Sequence, residues 1–496
     1  MTNEHTDPRH LETLDRDLGR LSNLEMATQY VGRPLVGPGI SLVFVVLAGL
    51  VAMLFFGQTS NSLIVVVAAC FGAYMALNIG ANDVANNMGP AVGANALSMG
   101  GAIAIAAIFE SAGALIAGGD VVSTIAKGII APESMGTAEV FIWAMMAALL
   151  SAALWVNLAT WVGAPVSTTH SVVGGVMGAG IAAAGFAAVN WPTMSAIAAS
   201  WVISPVLGGV VAALFLALIK SRIIYQDDKI AAARRWVPML VGIMAGAFAS
   251  YLALKGLNRI ISIDMATALL IGAGTGALTW IVMIPVIAKQ SEGLENRNKS
   301  LKVLFGIPLV VSAALLSFAH GANDVANAVG PLAAIVQASQ SGNFTDAVSI
   351  PVWVMVIGAF GISFGLFLFG PKLIRMVGSQ ITKLNPMRAY CVALSAAITV
   401  IVASWLGLPV SSTHIAVGAV FGVGFFREWD TERRIRKARL AMPTPPKYAP
   451  EERRRRKLVR RSHFMTIVAA WVVTVPAAAA ISAVIFFLIS SVLGTA

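Results

Sequence analysis

The chain has 496 residues, 57% of them hydrophobic and only 11% charged, with 34 Lys and Arg against 23 Asp and Glu. Soluble domains carry roughly 25% charged residues, so this composition excludes a soluble enzyme. The net charge of +11 is no nucleic-acid signature either, because much of the excess lies in residues 427–461, around the run Arg453 to Lys457. Such a loop marks the cytoplasmic side of a polytopic α-helical membrane protein, with anionic lipid contact a secondary role.

Residues 1–39 read as a cytoplasmic N-terminal leader, followed by an extra membrane helix at 40–57. Apolar segments then run at 63–88, 101–117, 139–160, 165–185, 195–219, 236–254, 265–287, 303–337, 351–369, 389–406, 409–426 and 465–490. The basic connections are 220–235, 289–302, 371–388 and 427–461, whereas 58–62, 118–138, 186–194 and 338–350 carry little positive charge. Placing the basic connections inside gives thirteen crossings, N-terminus in and C-terminus out. That path requires 165–185 and 409–426 each to carry the chain across, as broken or partial helices. Lys255 and Arg259 disagree, since the path puts them outside. Cys70 and Cys391 fall in separate apolar segments, so neither a disulfide framework nor a metal-binding spacing is expected.

Two motifs occur twice. Gly80-Ala81-Asn82-Asp83-Val84-Ala85-Asn86 returns unchanged as Gly321-Ala322-Asn323-Asp324-Val325-Ala326-Asn327, and Gly89-Pro90 and Gly330-Pro331 follow the copies. Pro165-Val166-Ser167-Thr168-Thr169-His170 recurs as Pro409-Val410-Ser411-Ser412-Thr413-His414, 85 residues after the first motif in one half and 88 in the other. The duplication makes one repeat of 63–219 and another of 301–490, the latter including the basic loop 427–461, with linker helices and loops in 220–300. Five crossings per repeat plus two between them displace the copies by seven. Seven is odd, so the repeats point in opposite directions across the membrane. The expected fold is an all-α polytopic membrane protein with two inverted-topology repeats, broken or re-entrant helices and about 12–13 membrane segments. That pattern points to a secondary transporter with a midplane site.

The first motif places Asn82 and Asn86 one helical turn apart with Asp83 beside them, and Asn323, Asp324 and Asn327 repeat the arrangement. A charge at the bilayer centre costs at least ~2.5–3.5 kcal/mol. Carboxylate, amide oxygens and carbonyls freed by Gly and Pro suit Na+ or H+, and interhelical hydrogen bonding is the bland alternative for the Asn residues. The second motif reads as a helix start capped by Ser167 or Thr168, whose N–H groups and hydroxyls suit an anion. From Pro34 to Ile219 the only Lys or Arg is Lys127, and none occurs in 303–371 or 389–426. An anion there has no side-chain cation to pair with, so co-bound cations must offset Asp83 and Asp324.

Glu110 is a third intramembrane acid and a candidate cation or proton ligand. Its counterpart is Pro351 without gaps, or Gly361 if Phe109 is matched to Phe360, and neither is acidic. His170 and His414 are candidate proton carriers or structural donors. His320 precedes only the second copy, where Ile79 stands in the first, and carries no assigned role.

On these four motif matches, covering about 63–490, the sequence resembles the inorganic phosphate transporter (Pit) family. The resemblance implies cation-coupled (Na+ or H+) symport of inorganic phosphate, sometimes as a metal–phosphate complex, by alternating access. It also implies a homodimer, multi-pass in the plasma (inner) membrane, with no enzymatic activity, bound cofactor, resident metal or nucleic-acid partner. By that resemblance Ser167, Thr168, Thr169, Ser411, Ser412, Thr413, Asn82 and Asn323 would contact phosphate. Asp83, Asn86, Asp324 and Asn327 would hold the coupling cation, with Glu110 added from its own position. Sulfate or another tetrahedral oxyanion is the alternative substrate. An anion channel and a membrane-embedded phosphoryl-transfer enzyme fit less well, since the first needs no coupling carboxylates and the second needs one asymmetric site.

Overall fold

A computed structural model describes residues 35–57, 62–162, 166–257, 261–341, 350–376, 384–440 and 461–493. The leader before 35, Pro165, Arg259 and loop residues 441–460 lie outside the described residues. Among the described residues the chain is helical, with one isolated bridge between Ile130 and Val189. Long apolar runs become helices because a segment in hydrocarbon must satisfy its backbone groups internally.

In chain order the helices are α1 (Leu35–Phe56), α2 (Ser62–Asn82), α3 (Val84–Gly93), α4 (Met99–Ala117) and the short α5 (Gly119–Ser123). Next come α6 (Ala138–Val162), α7 (Thr168–Ala184), α8 (Trp191–Ile219), α9 (Lys229–Lys255), α10 (Met265–Gln290) and α11 (Asn298–Leu304). The last five are α12 (Gly306–Ser341), α13 (Val352–Met376), α14 (Pro386–Trp405), α15 (Ser412–Leu440) and α16 (Arg461–Leu493). Among the described residues eleven helices are long and apolar enough to cross a membrane. The most apolar window of α12 is 89% buried and that of α10 only 17%, which puts α12 at the centre and α10 at the periphery.

Contacts at the helix ends separate two faces. At one face Lys220 pairs with Asp430 at 2.7 Å, Arg234 donates to Ser291, Asn296 donates to the Asp227 carbonyl, and Tyr390 packs on Phe305. All of these residues belong to or adjoin the basic connections. At the other face Ile130 bridges Val189 and Lys255 pairs with Asp120. The cation that disagreed with the charge rule therefore has a carboxylate partner at that face.

The expectation that 165–185 and 409–426 carry the chain across is corrected. The chain goes into α6 just after Ile130 and leaves α7 just before Val189, and these two residues are bridged. Likewise α14 begins beside Phe305, and α15 ends its apolar part near Lys220, at the same face. Each pair is a re-entrant hairpin with its Ser-Thr tip inside the protein. A polar tip is stable at that depth only where protein groups satisfy it. A hairpin returns the chain to the side it left, as two crossings would, so the predicted sidedness of the loops is unaffected.

The two halves pack by exchange. α2 lies against α13 and α12 against α4, while α7 lies against α16 and α15 against α8. At Gly80 a β-carbon would fall 1.9 Å from the Ile362 carbonyl oxygen, and at Gly321 one would fall 2.1 Å from that of Glu110. Gly113 and Gly365 meet the Phe318 and Leu77 carbonyls in the same manner. These close approaches pair Glu110 with Ile362, not with Pro351 or Gly361. Ser111 and Ser363, equivalent in this register, hydrogen-bond to each other at 2.8 Å. The motif helices run antiparallel: Gly72 of α2 faces Leu332 and Ala328 of α12, whereas further along α2 Asp83 shares Thr168 with Asp324.

Two predictions follow from this packing. Gly80→Ala and Gly321→Ala should each destabilise the detergent-solubilised protein by about 1–3 kcal/mol or more, read as a lower Tm. Gly274→Ala, on α10 with no neighbouring atom within 4 Å of the new carbon, should leave Tm unchanged or slightly raised. At the basic face, burial works to raise the Asp430 carboxyl, but hydrogen bonds from Lys220 and Tyr225 hold it below its ordinary range. A depressed folded value stabilises above the unfolded one and is lost as pH falls through it. The Tm advantage of wild type over Asp430→Asn should therefore be constant above about pH 4–5 and disappear on further acidification.

Candidate functional site

α2 passes into α3 through a single tightened step at Asp83, whose N–H bonds the Ile79 carbonyl while its own carbonyl accepts from Asn86 three residues on. In the second copy α12 is continuous through Asn323–Pro331, so the expected helix break is present only in the first. Pro90 and Pro331 lie inside α3 and α12. A proline lacks the N–H that would bond the carbonyl four residues earlier, so in each copy that carbonyl belongs to the last Asn of the motif, Asn86 or Asn327.

Ser167 caps α7 by accepting from the His170 N–H at 3.2 Å, and Ser411 does the same for His414 at 3.3 Å. This fixes Ser167, one of the two expected, as the cap. Capping points Thr168, Thr169, Ser412 and Thr413 at the motif helices. Thr168 Oγ1 donates to Asp83 Oδ2 at 2.7 Å and lies 3.5 Å from Asp324 Oδ2. Thr413 Oγ1 donates to Asp83 Oδ1 at 2.8 Å, and Ser412 Oγ lies 3.5 Å from Asp324 Oδ2. Asn86 Nδ2 donates to Thr413, and Asn327 Nδ2 donates to Thr169. Each tip is thus held by the last Asn of the opposite repeat. Asp83, Thr168 and Asp324 are each only 1% exposed.

Asn82 and Asn323, expected at the phosphate, hydrogen-bond to the hairpin legs. Asn82 Nδ2 donates to Thr160 at 2.7 Å, and Asn323 Nδ2 donates to Ser404 at 2.9 Å and to the Leu408 carbonyl. Asn323 Oδ1 also accepts from the Val410 N–H. His170 and His414 meet ring edge to ring face at 4.4 Å, with Trp201 packed at a tilt against His170. They join the two hairpin tips to each other.

Glu110 lies in the cluster. Its Oε1 accepts from Asn87 Nδ2 at 2.8 Å, and its Oε2 is 2.6 Å from His320 Nδ1. His320 Nε2 is 3.0 Å from Asp324 Oδ2. His320, left without a role by sequence reasoning, therefore bridges two acids. The available signal was its position four residues before Asp324, on the same helix face.

Asp83, His320 and Asp324 bring one ligand atom each within 4.8 Å of one another. Asp324 Oδ1 and Asn327 Oδ1 are buried acceptors with no hydrogen-bond donor among the described residues. Buried acceptors in this condition admit a water or an ion, and a carboxylate and an amide oxygen from residues three apart on one helix suit a small hard cation. The hydroxyls and the buried α7 and α15 N-termini supply donors for an anion next to it. No Lys or Arg occurs in the sequence stretches that build this cluster.

Residues 79–482 match the model of the phosphate transporter family. The chain is 52% identical over 428 residues to a Helicobacter pylori protein named "Putative phosphate permease", covering 86% of this chain and 80% of that protein. A Pyrococcus furiosus protein of the same description is 37% identical over 364 residues, covering 73% of this chain and 88% of its own length. A solved structure titled "The sodium-dependent phosphate transporter" superposes with a TM-score of 0.77 at 34% identity, covering 86% of this chain and 99% of that one. A family match across both motif copies, carried by a multi-pass helical fold, leads to one conclusion: the chain belongs to the phosphate transporter family.

Proposed function

We propose that this protein imports inorganic phosphate by cation-coupled symport, with Na+ or H+ as the driving ion and alternating access as the mechanism. In this reading residues 63–219 and 301–490 are inverted repeats joined by the linker helices of 220–300. The single observation that carries it is the hydroxyl–carboxylate cluster built by both halves, in which Thr168 reaches Asp83 and Asp324 together. Antiparallel motif helices and the exchanged packing support the inversion.

Asp83 and Asp324 would hold cations, with Asn86, Asn327 and Glu110 completing their surroundings. Thr168, Thr169, Ser412, Thr413 and the helix N-termini would donate to phosphate oxygens, with Ser167 and Ser411 fixing those N-termini. Asn82 and Asn323 would act by holding the hairpin legs. His170 and His414 would keep the tips in register. A protonated phosphate also donates hydrogen bonds, which a carboxylate accepts, whereas sulfate has no proton to offer. The name of the structural neighbour favours Na+ as the coupling ion. A homodimer in the plasma (inner) membrane and transport of a metal–phosphate complex remain part of this reading through the family.

The test is uptake of labelled phosphate into proteoliposomes, with Na+ and proton gradients imposed separately and sulfate as competitor. Concentrative uptake should collapse when the coupling gradient is removed and should resist excess sulfate. Uptake indifferent to both gradients would overturn the coupling. Asp83→Asn and Asp324→Asn should each abolish accumulation while the protein stays monodisperse. Thr168→Val removes hydrogen bonds to charged groups worth about 1.5–3 kcal/mol each, so uptake at subsaturating phosphate should fall about tenfold or more.

A further inference from the structure

The two copies differ at three buried positions that act as one unit. The register set by the glycine contacts pairs Glu110 with Ile362, and the motif alignment pairs His320 with Ile79 and Asn87 with Ala328. On one side of the pseudo-symmetric site Asn87, Glu110 and His320 form a continuous chain to Asp324, with contacts of 2.8, 2.6 and 3.0 Å. At the mirrored positions stand Ala328, Ile362 and Ile79, and all six residues are at most 1% exposed. All three side chains stand together on one side and none of them has a polar counterpart on the other; the link from His320 to Asp324 is a charge contact at 3.0 Å, since His320 Nε2 makes no aligned hydrogen bond among the described residues.

The two aspartates consequently offer different sites. Asp83 uses both oxygens to accept hydroxyl protons, from Thr168 and Thr413. A cation arriving at Asp83 must displace those bonds. Asp324 has Oδ2 turned to His320, while Oδ1 has no donor and Asn327 Oδ1 is likewise open. A cation arriving there breaks no bond to Oδ1.

We propose that Asn87, Glu110 and His320 form a one-sided brace that makes cation binding ordered: a coupling cation binds at Asp324–Asn327 before phosphate, and Asp83 becomes a cation site only after phosphate draws the Thr168 and Thr413 hydroxyls away. This rests on the reading of Asp324 as a cation ligand. The three brace residues are positioning residues that act through the Asp324 carboxylate. Phosphate binding and the second cation are thereby linked through two threonine hydroxyls.

The test uses the purified full-length chain in detergent, with Tm followed against Na+ concentration in the presence and absence of inorganic phosphate. Without phosphate, Na+ should raise the Tm of wild type and of Asp83→Asn at the same half-saturating concentration, and should not raise that of Asp324→Asn. The triple variant Asn87→Ala/Glu110→Ile/His320→Ile copies the mirrored apolar set and leaves no brace residue half-satisfied. It should run as a monodisperse species whose half-saturating Na+ rises at least tenfold. If the triple variant does not fold, Asn87→Ala alone, which leaves Glu110 Oε1 without its donor and so lowers Tm in zero Na+, should still raise half-saturating Na+ several-fold.

Wild-type Na+ dependence in the triple variant, or in Asn87→Ala where that variant carries the test, overturns the brace. Loss of the phosphate-free Na+ response in Asp83→Asn, or its absence in wild type, overturns the order. A full Na+ response in Asp324→Asn shows a different failure: the cation-ligand reading itself is wrong, whatever the brace variants do.

Discussion

Two carboxylates lie close enough to share one threonine in an interior whose surrounding sequence holds no lysine or arginine. Everything else in the molecule accommodates that arrangement. A buried charge without partners is too costly to keep, so the fold brings two hairpin tips of hydroxyl-bearing residues to the acids. The tips can reach them only because each hairpin turns back inside the protein. Ser167 and Ser411 cap the returning helices and so fix the direction in which the next residues point.

The exchanged packing explains why the cluster needs both halves. Asn86 holds the tip of the second hairpin and Asn327 that of the first. Neither repeat alone could satisfy its own motif. Close contacts at Gly80 and Gly321 let α2 and α12 seat against α13 and α4 with no side chain between the backbones. The glycines of the motif thus serve packing, while its Asp and Asn residues serve the site. Division of labour within one heptapeptide accounts for its unchanged return.

Much of this was legible in the sequence. The doubled motifs identified Asp83, Asp324 and the hydroxyl tips because identical strings in an apolar context are easy to see. Loop charge placed the two faces because Lys and Arg report sidedness directly. The hairpins were legible only as the re-entrant alternative to a crossing: α6 has 25 residues, long enough to pass for a crossing, and it is the Ile130–Val189 bridge that shows the chain returning. His320 was missed because its partner Glu110 is 210 residues away. No local pattern announces a contact of that range. Glu110 was matched to the wrong counterpart for a related reason, since its register is set by backbone contacts at Gly80 and Gly321 and not by side-chain similarity.

In the proposed symport the same constraint gives the direction of coupling. Two like charges about 4 Å apart repel by about 4 kcal/mol at an effective dielectric of 20, so phosphate brought beside Asp83 and Asp324 is disfavoured until cations offset them. Linkage makes that relation reciprocal: a cation that raises phosphate affinity has its own affinity raised by phosphate through the same factor. A permanent lysine or arginine in the site would remove the dependence and leave a phosphate-binding protein with nothing to couple. The missing basic side chain and the paired acids are therefore one device. In the proposed symport, phosphate affinity would be low without the driving ion and would appear when it is bound.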